Sequence, residues 1–301
     1  MPQYSENFRS LTELDPVLRE VFFLQYDAIP ARGGAFIREL SSAKGAEFDQ
    51  RVGSFRDPEP FADTGQIAYA EAEPDYMITY RHAKYDNGFV VDQDMLDDNQ
   101  YSGILDRAAN LGTASARFIQ KTQASILTNA FTAGATAGYD SVALCSASHP
   151  RSSSDSTNVS NTATLPLNNT NLETAMITHM ALGDDRGEEI SIMPNLLVVP
   201  RALRKTAFEL TESEYDPESA ENAKNIHTEL QFMVWEFLSD TNAWFLIDTT
   251  LAKRFMKWYW RKRPTFDAMD DFDKDARKFR NLMRFSYGWS DWRWIYGSNP
   301  S

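Results

Sequence analysis

The sequence predicts an α+β chain in which a ribbon and one long rod stand out from a compact mixed body. Three observations lead to that expectation. A polar stretch rich in Pro and Gly, RVGSFRDPEPFADTGQ, runs into short alternating segments around Ile67, Tyr69, Tyr76, Ile78 and Tyr80. No proline occurs between Asp75 and His149, and there apolar and small residues recur at helical spacing. After this rod, apolar runs and amphipathic segments alternate, as in a mixed α and β layer.

Taken in order, Leu11 to about Gly45 reads as a partly helical arm, with Asp15-Pro16 as its start and IPARGG as a break. Residues 51–92 read as a long β-ribbon, with Asn87-Gly88 as a turn between YRHAKY and FVV. Polar side chains on both faces leave it too little apolar surface to stand alone, so it needs something outside itself to lie against. Met95 to Phe131 reads as one helix, with Asp97 or Asp98 as N-cap. Ile104, Ala108, Leu111, Ser115, Phe118, Ile119, Thr122, Ile126 and Ala130 trace one face of it. At 1.5 Å per residue such a helix is roughly 50 Å long, far beyond the usual three turns. A Ser/Thr/Asn-rich loop follows, then a helix from Leu172 to about Leu182 ended by Gly183, the buried strand LLVV and an amphipathic helix. QFMVWEFL, AWFLID and KRFMKWYW read as strands, DAMDDFDKDA as an acidic connection, and NLMRFSYGWSDWRWIYG as a last aromatic strand region.

Composition narrows the classes. The 301 residues suit one large domain or two ordinary ones, and 42% apolar with 13% aromatic content is that of a folded chain. No run of eighteen apolar residues is present, so no membrane span is expected, and MPQYSENFRS lacks the features of a secretory signal. A single cysteine cannot make an intrachain disulfide, which suits a reducing compartment. A net charge of −13 argues against a dedicated nucleic-acid binder.

The candidate chemistry is sparse. Cys145 and His149, in ALCSASHP, resemble a nucleophile and its base. On a strand they would lie about 13 Å apart, Pro150 disfavours a helix, and nothing nearby in sequence supplies an orienting acid, an oxyanion hole or a second metal ligand. Cys145 therefore reads as a buried small thiol, with a thiol hydrolase as the rival. Asp267, Asp270, Asp271, Asp273 and Asp275 lack the glycine and terminal glutamate of a calcium loop and read as a solvated acidic loop. Lys253 to Arg263 interleaves six cations with rings. That pattern fits nucleic acid, but in so acidic a chain it fits better a strand whose rings enter a core or a subunit contact. No Gly-rich phosphate loop is present. The chain reads as an assembly protein without cofactor or metal, not as an enzyme.

Against this background VGSF, YDNGFVVDQDMLDD, ALCSASHP, NLLVVPRALRKTAFEL and AWFLID, in that order and spacing, resemble tailed-bacteriophage major capsid proteins of the Hong Kong 97-type fold, and most closely the major head subunits of Mu-like phages. The resemblance covers nearly the whole chain. It implies an N-terminal arm at 1–50, an extended loop at 51–92, a peripheral domain with a spine helix at 93–189 and 270–301, and an axial domain at 190–269. It implies a major head protein that self-assembles, as hexamers and pentamers, into an icosahedral shell around double-stranded DNA; the shell of an encapsulating compartment is the alternative. Portal, scaffold or decoration proteins would be further partners, DNA would be touched without sequence specificity, and no membrane would be involved. The place would be the virion, with assembly in the bacterial cytoplasm. Beginning at Met1, the arm is expected to escape cleavage. The side chains expected at subunit contacts are Phe55, Tyr69, Tyr76, Tyr80, Trp258 and Trp260.

Overall fold

Pro16 opens the first helix, where its fixed φ is suitable and its missing N–H costs nothing. In the computed structural model, which describes residues 11–55, 57, 58, 74–98, 100–136, 138–215 and 224–300, that helix is α1, Asp15–Asp27. The chain continues through β1 (Arg38–Ser41), β2 (Ala46–Val52), β3 (Pro74–Arg81), β4 (Ala83–Asp92), α2 (Gln93–Asp97) and α3 (Tyr101–Thr128). Then come β5 (His149–Pro150), β6 (Asn158–Val159), β7 (Thr162–Ala163), α4 (Asn169–Met180), β8 (Leu196–Val199), α5 (Arg204–Glu212) and β9 (Gln231–Val234). The last elements are β10 (Trp244–Ile247), α6 (Thr249–Phe255), β11 (Met256–Asp271), β12 (Ala276–Trp289) and β13 (Ile295–Ser298).

Two sheets organise the body. One has the order β1-β11-β12-β4, with α1 and α3 over one face; the other has the order β7-β13-β10-β8-β9. Both β8 and β10 are buried at every position, which is why LLVV and WFLI are continuous apolar runs rather than alternating ones. β2 and β3 form a separate two-stranded ribbon.

The long helix is present and shorter than its sequence pattern. At 28 residues α3 is roughly 42 Å long. Ile104, Ala108, Leu111, Ser115, Ile119 and Ile126 are buried as expected, while Phe118 is exposed at the edge of that face. Asp97 ends the short helix α2 and Asp98 follows it, so neither caps α3; Gln100 precedes α3 and makes no side-chain cap bond.

Three other expectations change. Asn87-Gly88 is no turn: both lie inside β4, paired to Asn281 and Arg280. Glycine is required there because a Cβ on Gly88 would collide with the Phe279 carbonyl of β12. Residues 83–92 therefore belong to the four-stranded sheet, and the ribbon is β2 with β3. KRFMKWYW is split, its first part closing α6 and its second opening β11, and in QFMVWEFL only Gln231–Val234 is strand.

Gly112 lets α1 lie against α3: a Cβ there would strike the Phe22 carbonyl, whereas a Cβ on Gly103 meets nothing within 4 Å. Gly112→Ala is expected to lower stability by about 1–3 kcal/mol through forced separation of the helices, and Gly103→Ala to be neutral or to stabilise by up to about 1 kcal/mol. Thermal unfolding of the two variants checks the contrast.

Candidate assembly surface

The ribbon has two unlike faces because its cross-strand register is fixed. Phe48 pairs with Thr79 and Gln50 with Met77, while Glu47 pairs with Tyr80 and Asp49 with Ile78. Partners across an antiparallel pair share a face. One face is therefore Phe48, Gln50, Met77 and Thr79; Phe48 and Met77 on it, and Val52 beyond an irregularity after Gln50, are each more than 60% exposed. The other face carries Ile78 and Tyr80, both buried, and Asp49, which is ion-paired to Lys257 of β11.

An ionic network holds the stem at its far end. Arg51 of β2 meets Asp291 at 3.1 Å and Asp75 at 3.4 Å, and it donates to the Tyr139 hydroxyl at 3.2 Å. Asp291 also pairs with Arg293, which donates to the main-chain carbonyls of Gly183, Asp184 and Arg151. Asp185 accepts the Ser54 N–H on both carboxylate oxygens, and Arg186 donates to the Ser54 carbonyl. Burial alone would raise the Asp291 carboxyl, but the Arg293 and Arg51 guanidiniums outweigh it and hold it below its usual range. Beside the network lies a polar cleft of about 520 Å³ bordered by Arg51, Arg254, Lys257 and Arg293 and by Asp49, Asp184 and Asp291. Three of its cations are paired, Arg51 and Arg293 with Asp291 and Lys257 with Asp49, and the pairs tie the ribbon to the body.

The expected contact residues divide. Tyr80, Trp258 and Trp260 are buried within the chain's own core and have no face left for a neighbour. Trp258 stacks on Phe285 and Tyr287, and Trp260 donates its indole N–H to Glu39 at 2.9 Å with Arg263 over its ring. Tyr76 is half-buried against Tyr139. Phe55 is exposed, and Tyr69 lies outside the described residues. Phe48, Val52 and Met77 were not singled out from the sequence, although their period-2 spacing across the two strands was the available signal.

The basic run 253–263 behaves as a strand in an acidic chain. Lys257 pairs with Asp49, Lys262 with Asp267 and Arg263 with Glu39, while alternate rings enter the core. Asp270 and Asp271 are likewise tied, to Arg277 and Lys278, so the acidic connection is partly paired rather than simply solvated. No group of acids, His or Cys that could hold a metal occurs among the described residues.

At ALCSASHP an orienting acid is present after all. Asp140 Oδ2 lies 2.6 Å from His149 Nδ1. His149 Nε2 faces the Leu144 carbonyl at 3.3 Å, the ring stacks on Trp292, and no hydrogen bond joins either nitrogen to the thiol. Cys145 is sealed against Gly297, and burial pushes its thiol far above the ordinary range. A sealed thiol with no base bonded to it does not suit the exposed, activated nucleophile a hydrolase needs.

A family model described as phage capsid protein matches residues 75–298, well over half of the chain. The chain belongs to the phage capsid protein family. It is a major capsid shell protein, and its fold is of the Hong Kong 97 type. Among solved structures the capsid protein is similar to a chain of Microbacterium phage Oxtober96, at 12% identity and TM-score 0.57, covering 91% of this chain and 92% of that one. It is similar to bacteriophage PhiM1 in its mature capsid, at 12% identity and TM-score 0.56, covering 90% and 86%. It is also similar to a virus-like particle from Pyrococcus furiosus, at 11% identity and TM-score 0.55, covering 95% and 99%. At such identities the likeness is one of fold. No curated protein matches the capsid protein in sequence.

Asp291→Asn leaves Arg51 and Arg293 short of a buried partner and is expected to cost about 3–5 kcal/mol in denaturant unfolding. Because the folded carboxyl titrates lower than the unfolded one, its contribution is complete above about pH 4 and fades only as pH falls further; the variant should lack that acid limb. Cys145 should resist iodoacetamide in the folded capsid protein and react fully in denaturant, as intact mass reports.

Proposed function

We propose that the capsid protein assembles as hexamers and pentamers into a closed icosahedral shell around double-stranded DNA, with the β2–β3 ribbon reaching a neighbouring copy. The observation that supports this reading is the outward ribbon face. Phe48, Val52 and Met77, with Phe55 beyond, are held out in water by a stem whose other face is bound to the body. A lone monomer gains nothing from such a patch. Modest contacts repeated over a closed shell add up through multivalency.

On this reading residues 1–50 are the arm, 51–92 the extended loop, whose last strand β4 returns into the four-stranded sheet, 93–189 with 270–301 the peripheral domain and 190–269 the axial domain. Phe55, Tyr69 and Tyr76 stay as contact residues. The kinship with Mu-like head subunits rests on the segments quoted from the sequence. Portal, scaffold and decoration proteins would meet the finished shell, DNA would be touched without sequence specificity, and assembly would take place in the host cytoplasm. The chain would act as a structural protein, and the burial of Cys145 speaks against the thiol-hydrolase alternative.

Replacing residues 56–73 with a short Gly/Ser linker keeps β3, whose Ile78 and Tyr80 are core. The variant is expected to fold with wild-type circular dichroism and to form no shells by negative-stain electron microscopy. Shells of normal size from that variant would sink the reading.

A further inference from the structure

Asn87-Gly88 is the one Asn-Gly step in the chain, and every other asparagine is followed by a residue that carries a Cβ. An asparagine amide closes most readily on the next main-chain nitrogen where that residue is glycine, because no side chain stands in the path of attack. The fold does not use the pair for a turn, and it cannot replace the glycine, since a Cβ on Gly88 would strike the Phe279 carbonyl. Close strand packing therefore keeps a chemically labile step inside an ordered strand.

A central strand would protect such a step by tying its N–H into the ladder. Here that tie is missing. β4 is the edge of the four-stranded sheet, and Asn87 and Gly88 are both exposed. The Gly88 N–H is taken by Asn87 Oδ1 at 2.8 Å. The Val90 carbonyl, two residues on and so on the same side of the strand, is taken by Arg107 at 2.6 Å. The Gly88 amide thus faces the open side of β4, bonded to the very group it would attack. A turn of one peptide unit aims its nitrogen at Cγ; glycine makes that turn easy, and only the pairing of Asn87 with Asn281 opposes it.

The local charge favours the step. Asn87 lines a cleft of about 470 Å³ between β4 and α3. Lys84, Arg117 and Lys121 line it too, without a carboxylate partner among the described residues, against one acid, Asp86. Attack on Cγ removes the Gly88 proton and puts negative charge on Oδ1, and surplus positive charge stabilises both. Asn87 shares its face of the sheet with its cross-strand partner Asn281. Asn281 is wholly buried, is followed by Leu282 and donates through Nδ2 to Ser115 Oγ of α3 at 2.7 Å. It is the protected counterpart of Asn87.

We propose that Asn87-Gly88 is a self-modifying site, at which the folded chain converts one amide per copy into a carboxylate that pairs with the cations of the β4–α3 cleft. The Gly88 nitrogen gives its proton to solvent and bonds to Asn87 Cγ; the Cγ–Nδ2 bond breaks, and the leaving nitrogen takes up a proton and departs as ammonia. Water then adds to one carbonyl of the resulting succinimide, the bond from that carbon to the ring nitrogen breaks, and the nitrogen recovers a proton. The net change is amide plus water to carboxylate plus ammonium. Addition at Cγ gives aspartate and restores the strand. Addition at the main-chain carbon gives isoaspartate, whose extra main-chain CH2 would push Phe89 to Asp92 out of register with β12, so the ladder selects aspartate. The new anion faces α3 and ties the edge strand to the long helix. The reaction needs only the folded monomer, and it runs one way.

The test is prolonged incubation of the folded full chain in water enriched in heavy oxygen, at mildly acidic and mildly alkaline pH, followed by peptide mapping by mass spectrometry. Asn87 should lose its amide about tenfold faster than any other asparagine. The loss should be faster in alkali, with heavy oxygen entering at position 87 and an intermediate lighter by one ammonia. Asn281 should stay intact, and Asn87→Gln should fold as wild type and stay unmodified. An Asn87 amide that survives in the folded chain but is lost in denaturant overturns the proposal, as does loss spread evenly over the asparagines. A native digest dominated by isoaspartate overturns the selection by the ladder. Asn87→Asp, which carries the product from the start, should melt above wild type at low salt and level with it at high salt. A melting temperature at or below wild type in low salt overturns the pairing with the cleft.

Discussion

The pairing of β11 with β12 runs from Met256 opposite Trp289 to Asp271 opposite Ala276, and its two ends are buried against different partners. At the first end Trp258, Phe285 and Trp289 enter the principal core with the ribbon's Ile78 and Tyr80. At the other, Phe266 and Phe279 pack with Phe22 of α1 and with Ile104 and Ala108 of α3. The two strands pair on both sides of an irregularity between Trp260 and Thr265, so one hairpin spans both cores. α3 lies over the sheet this pairing organises. Arg277 strengthens the second end by pairing with both Asp15 and Asp270, which joins the first helix to the hairpin tip.

The principal core is unusually rich in tryptophan, and the choice has an energetic logic. Trp235, Trp258, Trp289, Trp292 and Trp294 are buried without a partner for the indole N–H. An unpaired donor costs about 1–3 kcal/mol. Burying 150–250 Å² of ring surface at about 25 cal/mol per Å² returns roughly 4–6 kcal/mol. Area wins at each site. His149 belongs to the same stack, as a flat polar ring between Trp292 and Asp140, which explains a buried histidine without invoking chemistry.

Much of the architecture was legible because long periodic signals are robust: the proline-free rod, the LLVV and AWFLI strands and the helix at Pro16 all appear where their patterns place them. The failures are local. Asn87-Gly88 has the composition of a turn, yet the glycine answers to the closeness of a neighbouring strand's carbonyl, which no single segment reveals. Trp258 and Trp260 looked like contact residues because aromatic-basic interleaving has the same spelling on an interface and on a half-buried strand. The Arg51–Asp291–Arg293 network joins residues more than two hundred positions apart, and Asp140 finds His149 across an irregular turn. Ion pairs between distant segments carry no periodicity for a sequence to display.

The stem of the ribbon ends in charges beside the Tyr76–Tyr139 ring contact, and the charges decide how it bears load. Apolar contacts slide, since their energy varies smoothly with the area covered. The Arg51 guanidinium, shared between Asp75 and Asp291 away from water, has no equivalent position a little further along. The Asp185 carboxylate, gripping one main-chain N–H with both oxygens, is equally intolerant of small shifts. Small shifts of the stem therefore cost these bonds at once, where an apolar contact would lose its energy gradually. The ribbon is mechanically a lever with a brittle pivot.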